Sequence, residues 1–175
     1  MAKLTRGRYI VYIDASFGAI GGPSWFKVGK SLTSLSVDLN PDVTVERDIW
    51  DDVSATDNGY TPQSNIDPYY ANPSDSIYEK IRDIAMNRLT GDDCKTKIME
   101  VIIEDDTDDE HVAWTEDILV KPTSTGGDTA GFAIPFDVYF DGNRTVGTVE
   151  YSNDDYKTGT PTFTATSTAS SVVGG

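Results

Sequence analysis

The sequence is poor in the residues that most chemistry is built from. It has one cysteine, Cys94, and one histidine, His111, in 175 residues. A single cysteine excludes an intramolecular disulfide. A zinc site takes three or four ligands, usually His and Cys, so one of each argues against zinc held within one chain. Nucleophilic catalysis needs a base beside the nucleophile and a third group to orient that base. There is no Gly-x-Ser-x-Gly turn, and Cys94 has no histidine near it in sequence. His111 therefore reads as a structural or surface residue. No run of about 18 apolar residues occurs, and the N-terminus lacks an apolar signal segment. A protein made soluble, in a reducing compartment and without a cleaved signal, is expected. Basic residues are scarce too: 14 Lys and Arg stand against 29 Asp and Glu, a net charge of -15. That balance argues against holding nucleic acid by its phosphates, which takes Lys and Arg, and against an anionic membrane surface. Neither an enzyme nor a cofactor is expected.

What is present suits a folded β protein: 38% apolar residues and 25% charged ones. Gly18, Gly21 and Gly22 fit neither phosphate-binding pattern. Gly29-Lys30-Ser31 ends like a phosphate-binding loop, but Ser24 stands where its upstream glycine is required. The densest carboxylate cluster is Asp105-Asp106-Thr107-Asp108-Asp109-Glu110. It lacks the glycine and the spacing of a calcium-binding EF-hand and reads as a solvated loop.

The most informative stretch is Thr33 to Ile49, whose two arms alternate apolar and polar residues around Asn40-Pro41-Asp42. Such alternation marks a strand with two unlike faces. A three-residue loop sets Leu39 against Val43, Val37 against Val45 and Thr33 against Ile49. A two-residue loop would mix the faces. Pro41 and Asp42 suit the turn positions. The predicted hairpin has an apolar side turned to the core. Its other side is acidic and hydroxyl-rich, with Ser34, Ser36, Asp38, Thr44, Glu46 and Asp48.

Along the chain, residues 1–7 are a basic arm, and Arg8–Ile13 and Trp25–Val28 read as strands. Residues 51–73 show little periodicity. Asp57-Asn58-Gly59 signals a turn, and Pro62, Pro68 and Pro73 interrupt regular structure. A long irregular stretch implies a task, so 51–73 is expected to be a functional loop, with an extended piece near Thr61–Ile66. Ser76 and Glu79 form a capping-box pattern. Ile77, Ile81, Ile84 and Ala85 share one helical face, and Gly91 suits the position past the end, so a helix over about 77–89 should pack that face on a sheet. Strands follow at Lys97–Glu104 and Val112–Val120. A second hairpin, Phe132–Phe140 and Thr145–Tyr151, is expected across Asp141-Gly142-Asn143. A last strand is expected at Pro161–Thr166, with Ser167–Gly175 as a tail. The expectation is a single mainly β domain over 1–175: a β-sandwich or barrel of about eight strands, one flanking helix, an extended loop and terminal arms.

One order of features is distinctive. Trp25-Phe26-Lys27-Val28-Gly29-Lys30 leads to Leu32–Leu39, then Asn40-Pro41 and an acidic stretch to Ile49. Next come Gly59-Tyr60-Thr61-Pro62-Gln63-Ser64-Asn65-Ile66-Asp67 and Asp75-Ser76-Ile77-Tyr78-Glu79. This order, over roughly residues 20–150, resembles the tail tube (major tail) proteins of long-tailed bacteriophages. The resemblance implies a virion protein whose hexameric rings stack into a tube, assembled in the host cytoplasm. It implies an acidic lumen lined by Asp38, Glu46 and Asp48 and their hydroxyl neighbours. Double-stranded DNA and a tape measure protein would occupy that lumen in turn, without sequence recognition. It further implies that 51–73, with Tyr60, Pro62, Ile66, Tyr69 and Tyr70, reaches other subunits. Other copies of the chain, a tail terminator and baseplate or tail-tip proteins would be its partners. A repulsive wall suits DNA that must slide without sticking. The competing reading is a β-sandwich binding module for carbohydrate or a receptor, with calcium at Asp105–Glu110.

Overall fold

The computed structural model describes residues 2–166. In chain order the strands are β1 Tyr9–Asp14, β2 Trp25–Val28, β3 Val37–Asp38, β4 Pro41–Arg47, β5 Val53–Tyr60 and β6 Gln63–Ile66. One helix follows, α1 Tyr78–Asn87. Then come β7 Lys95–Ile102, β8 Glu110–Pro122, β9 Gly126–Asp128, β10 Gly131–Ala133, β11 Phe136–Tyr151 and β12 Pro161–Ala165. Eight of these form one curled sheet in the order β2-β1-β7-β8-β11-β6-β3, with β12 also on β11. The sheet is a half-barrel with one helix on it, the mainly β class expected.

The centre of the sheet is buried on both sides, and the residues alternate accordingly. Val11, Ile13, Ile98, Ile118, Val120, Phe136 and Val138 face α1, which adds Ile81, with Ile77 just before the helix. Ile10, Tyr12, Met99, Val101, Ala113 and Val149 face the other way, where Tyr156 and Phe163 pack on them. Burial on both faces explains why β1 reads as an unbroken run rather than a clean alternation. Ile77, Ile81 and Ile84 are buried on the helix face, with Ala85 half-buried against the same cluster. Each such isoleucine contributes about 1.5–3 kcal/mol by leaving water.

The helix ends differ from expectation. No side-chain cap closes its N-terminus, where Ile77 is the flanking residue, so the Ser76–Glu79 box does not form. At the other end Arg88 takes the left-handed turn at φ 51, ahead of Gly91. Leu89 N–H then bonds Ile84 O at 3.1 Å, and Lys121 Nζ caps Leu89 O at 3.2 Å.

Two expected pairings and one expected loop are corrected. The segment 33–49 is not a hairpin: β3 pairs with β6, Val37 opposite Ser64, and β4 pairs with β5. The irregular stretch 51–73 contains β5 and β6. The hairpin expected within 132–151 is instead one long strand, β11, that runs beside β8 from Phe136↔Pro122 to Glu150↔Glu110. Its Asp141-Gly142-Asn143 segment makes a bulge, where the register shifts twice. Left-handed residues serve bulges as readily as turns, and here Gly142 has φ 93 and Asn143 φ 58. Beyond the bulge, β12 replaces β6 as the neighbour of β11. Gly147 is required there, because a Cβ would strike the Thr164 carbonyl and come within 2.6 Å of the Phe163 ring. The expected tail Ser167–Gly175 lies outside the described residues.

Candidate assembly interface

Between Asn40 and Thr61 the chain leaves the sheet as a two-stranded ribbon, β4 and β5, hereafter the arm. Asn40 turns the chain with φ 47, and its Nδ2 donates to Thr61 O at 3.0 Å, tying the two strands at the base. Just above, Asp57-Asn58-Gly59 forms a bulge between the pairs Pro41↔Tyr60 and Val43↔Asp57. At the tip Asp48 closes the loop. Its Oδ1 accepts the N–H of Trp50 at 2.8 Å and of Asp52 at 3.0 Å.

The cross-strand register gives the arm two unlike faces. Val43, Val45 and Arg47 stand opposite Asp57, Ala55 and Val53 on one face. Thr44 and Glu46 stand opposite Thr56 and Ser54 on the other. Every residue from 41 to 60 is exposed except half-buried Gly59. Val45 is 64% exposed, and at the tip Ile49 and Trp50 are 92% and 78% exposed. A two-stranded ribbon on its own is marginal in water, and apolar side chains grouped along one face mark a contact surface. The arm is also acidic: Asp42, Glu46, Asp48, Asp51, Asp52 and Asp57 against Arg47 alone. Arg47 lies 3.8 Å from Asp51, with both side chains largely exposed, so that pair adds little.

At the foot of the arm a cavity of about 550 Å3 opens between Leu39 and Tyr60 on one side and Glu100, Glu116 and Arg144 on the other. Both carboxylates are buried, at 9% and 6% exposure. Arg144 bridges them through Nη1, at 3.2 Å from Glu100 and 3.1 Å from Glu116. Tyr9 donates its hydroxyl to Glu100 at 3.0 Å. Burial, then the Glu100 charge, pushes the Tyr9 hydroxyl well above its usual range. Between the pairs Gly142↔Asp117 and Thr145↔Thr115, Arg144 itself lies in the β11 bulge. These residues were not singled out from sequence, yet a signal exists. Glu100 and Glu116 stand at the same strand parity as Ile98 and Ile118, where an apolar residue is the rule.

The expected lumen-facing residues are divided between the main sheet and the arm. Asp38 lies on β3 in the main sheet, while Thr44 and Glu46 lie on the arm and Asp48 at its tip. Ser34 and Ser36 are exposed just before β3. Leu39 and Val43, expected to face the core, are 54% and 52% exposed. Among the residues expected at subunit contacts, Tyr60 is exposed and Pro62 half-buried. Ile66 and Tyr69 belong to the core instead, because β6 pairs inside the sheet and Tyr69 packs edge-on to Phe136. Tyr70 is half-buried and bonds Asp128 at 3.2 Å.

The remaining candidates are held by local structure. Asp105 accepts the N–H and hydroxyl of Thr107 at 2.9 and 2.7 Å, which hold its carboxyl below the usual range. Asp106 pairs with Arg8 at 2.9 Å. His111 is buried beside the rings of Tyr151 and Tyr156. Cys94 is buried and donates to Leu89 O at 3.2 Å. Among the described residues no three His, Cys, Asp or Glu side chains converge to hold a metal, and no helix is long and apolar enough to cross a membrane.

No protein-family model matches the chain, and no curated protein matches it. Two solved structures are loosely similar in outline. One is the anti-feeding prophage cap, the AFP tube terminating cap. It is 20% identical with a TM-score of 0.47, and the match covers 85% of this chain and 93% of that one. The other is the sheath/tube terminator of an extracellular contractile injection system, PVC, in its extended state. It is 15% identical with a TM-score of 0.48, and the match covers 83% of this chain and 97% of that one.

Proposed function

We propose that the chain is a structural subunit of a phage tail or tail-like particle, which polymerises as stacked hexameric rings into a tube. The observation that carries this reading is the arm. Its apolar face and its Ile49-Trp50 tip find no cover among the described residues, although the sheet beside them is packed on both faces. A subunit that exposes apolar side chains along an extended ribbon is built to be completed by a neighbour. The main sheet supports the same reading, since among the described residues it ends in strands β2 and β3, each paired on one side only. Such edges invite pairing with another chain. The order of features around Trp25–Asp67, which resembles tail tube proteins, fits the fold found.

In this reading Asp38, with the exposed Ser34 and Ser36 before β3, contributes to a negative lumen that lets DNA and a tape measure protein pass, whereas Glu46 and Asp48 lie on the arm and are left for a neighbouring copy. The chain's net charge of -15 favours repulsion of phosphate over its capture. Electron microscopy of the purified protein tests the proposal. Rings or tubes with a central channel are expected. Monomers at every concentration, with no rings or tubes in lysates, would sink it. Isolated single rings that never stack would instead mark a subunit that caps a tube.

A further inference from the structure

The acidic arm has a counterpart on the same molecule. Residues 1–30 reverse the charge balance of the chain: Lys3, Arg6, Arg8, Lys27 and Lys30 stand against Asp14 alone. Arg6, Lys27 and Lys30 rim a groove of about 430 Å3 whose apolar lining includes Tyr9, Leu32 and Leu35. The groove exists because β1 outruns β2. The last β1–β2 pair is Val11↔Val28, so Tyr9 and Ile10 have no strand on that side. Residues 29–35 curl past the gap instead, held where Arg6 Nη2 donates to Leu35 O at 2.9 Å. Among the described residues Arg6, Lys27 and Lys30 pair with no carboxylate. On the arm, Asp42, Glu46, Asp48, Asp52 and Asp57 pair with no cation among the described residues. The two surfaces therefore match in both respects: unpaired acids with unpaired bases, and exposed apolar residues with an apolar lining.

We infer that this groove receives the arm of a second copy of the chain, with the acids of the arm against Arg6, Lys27 and Lys30 and the Ile49-Trp50 tip on the apolar lining. The inference rests on the self-assembly proposed above and names the acceptor. Arm and groove are different surfaces, so the contact is head-to-tail. Such contacts close into rings or continue along a filament. Opposed charges speed encounter and fix the register, while the apolar contact supplies much of the affinity.

Charge reversal tests it. In one variant Glu46→Lys and Asp52→Lys make the arm basic; among the described residues neither side chain holds a bond. In the other, Lys27→Glu and Lys30→Glu make the groove acidic. Each variant alone should need more than about tenfold higher concentration to assemble, because like charges then meet. Mixed one to one, the variants should assemble again, since each arm finds an opposite groove on the other chain. Unchanged circular dichroism and melting establish that the subunits fold, and light scattering with electron microscopy reads the assembly. If the parent and both variants assemble alike, the groove is not the acceptor and the self-assembly reading survives. If the variants fail alone and together, arm or groove serves a different partner and the inference is overturned. If the parent itself never assembles, the underlying reading falls and the inference with it.

Discussion

Val120 in β8 and Val45 in β4 are both valines on antiparallel strands, yet the first is fully buried and the second is 64% exposed. The difference lies in what flanks each strand. β8 has β7 on one side, β11 on the other and helix α1 across its face. β4 has only β5. Equal residue types thus serve two ends: in the sheet they hold the subunit together, and in the arm they are left for a neighbour. Substitutions in the two regions should separate accordingly, with loss of stability in the sheet and loss of assembly in the arm.

The largest effect on stability is expected from Phe136→Ala. Its ring is fully buried, packed by Tyr69, and truncation should cost about 3–5 kcal/mol in urea unfolding of the subunit. A loss under about 1 kcal/mol would mean that the site collapses freely, and that the sheet is not the stable unit it is taken for. Next comes Gly147→Ala, whose Cβ would strike β12. It should cost about 1–3 kcal/mol and detach β12 first, visible as faster amide exchange at residues 161–165. Equal exchange in parent and variant would show that β12 absorbs the extra carbon.

Tyr12 and Tyr151 join hydroxyls at 3.0 Å on the far face of the sheet. Burial, then the bond with Tyr12, pushes the Tyr151 hydroxyl above its ordinary 10.0. Below that value the folded and unfolded chains both keep the proton, and stability is whole. Above it the unfolded chain ionises first, so stability falls as pH rises toward the folded value. Tyr151→Phe should cost about 1 kcal/mol at neutral pH and flatten the alkaline decline. An unchanged alkaline slope would remove Tyr151 as its cause.

Much of this division was legible before the fold was known, and the part that was not has a physical cause. β1, β2, β7, β8 and α1 carry apolar residues whose spacing records which side is buried, so their existence could be read directly. Periodicity records faces, not partners. Val37, Leu39, Val43 and Val45 alternate in the same way whether 33–39 pairs with 43–49 or, as found, β3 joins β6 and β4 joins β5. β5 was invisible because Val53-Ser54-Ala55-Thr56-Asp57-Asn58-Gly59-Tyr60 buries neither face, and an unburied strand needs no pattern. Both turn signals, at 57–59 and 141–143, turned out to be bulges within strands. The two-faced character of β4 was visible in sequence. Its apolar side, however, faces solvent in the subunit rather than the core.

The smallest effect on stability is expected where the effect on assembly is greatest. Trp50→Ser removes the largest exposed side chain of the arm tip, where Trp50 is 78% exposed and its backbone N–H bonds Asp48. The serine N–H keeps that bond, so the loop should close as before. Surface changes of this kind stay within about 0.5 kcal/mol, which for a chain of this size moves the melting temperature by less than about 2 °C. Large aromatic side chains in a contact nevertheless carry a disproportionate share of its energy, commonly about 2 kcal/mol or more. The variant should therefore melt like the parent while its assembly midpoint rises by more than about tenfold. Melting several degrees lower would place Trp50 in the fold of the subunit and erase the contrast between sheet and arm. Parent-like melting with parent-like assembly would leave the arm free even in the particle, and the reason for its apolar face would have to be sought in another partner.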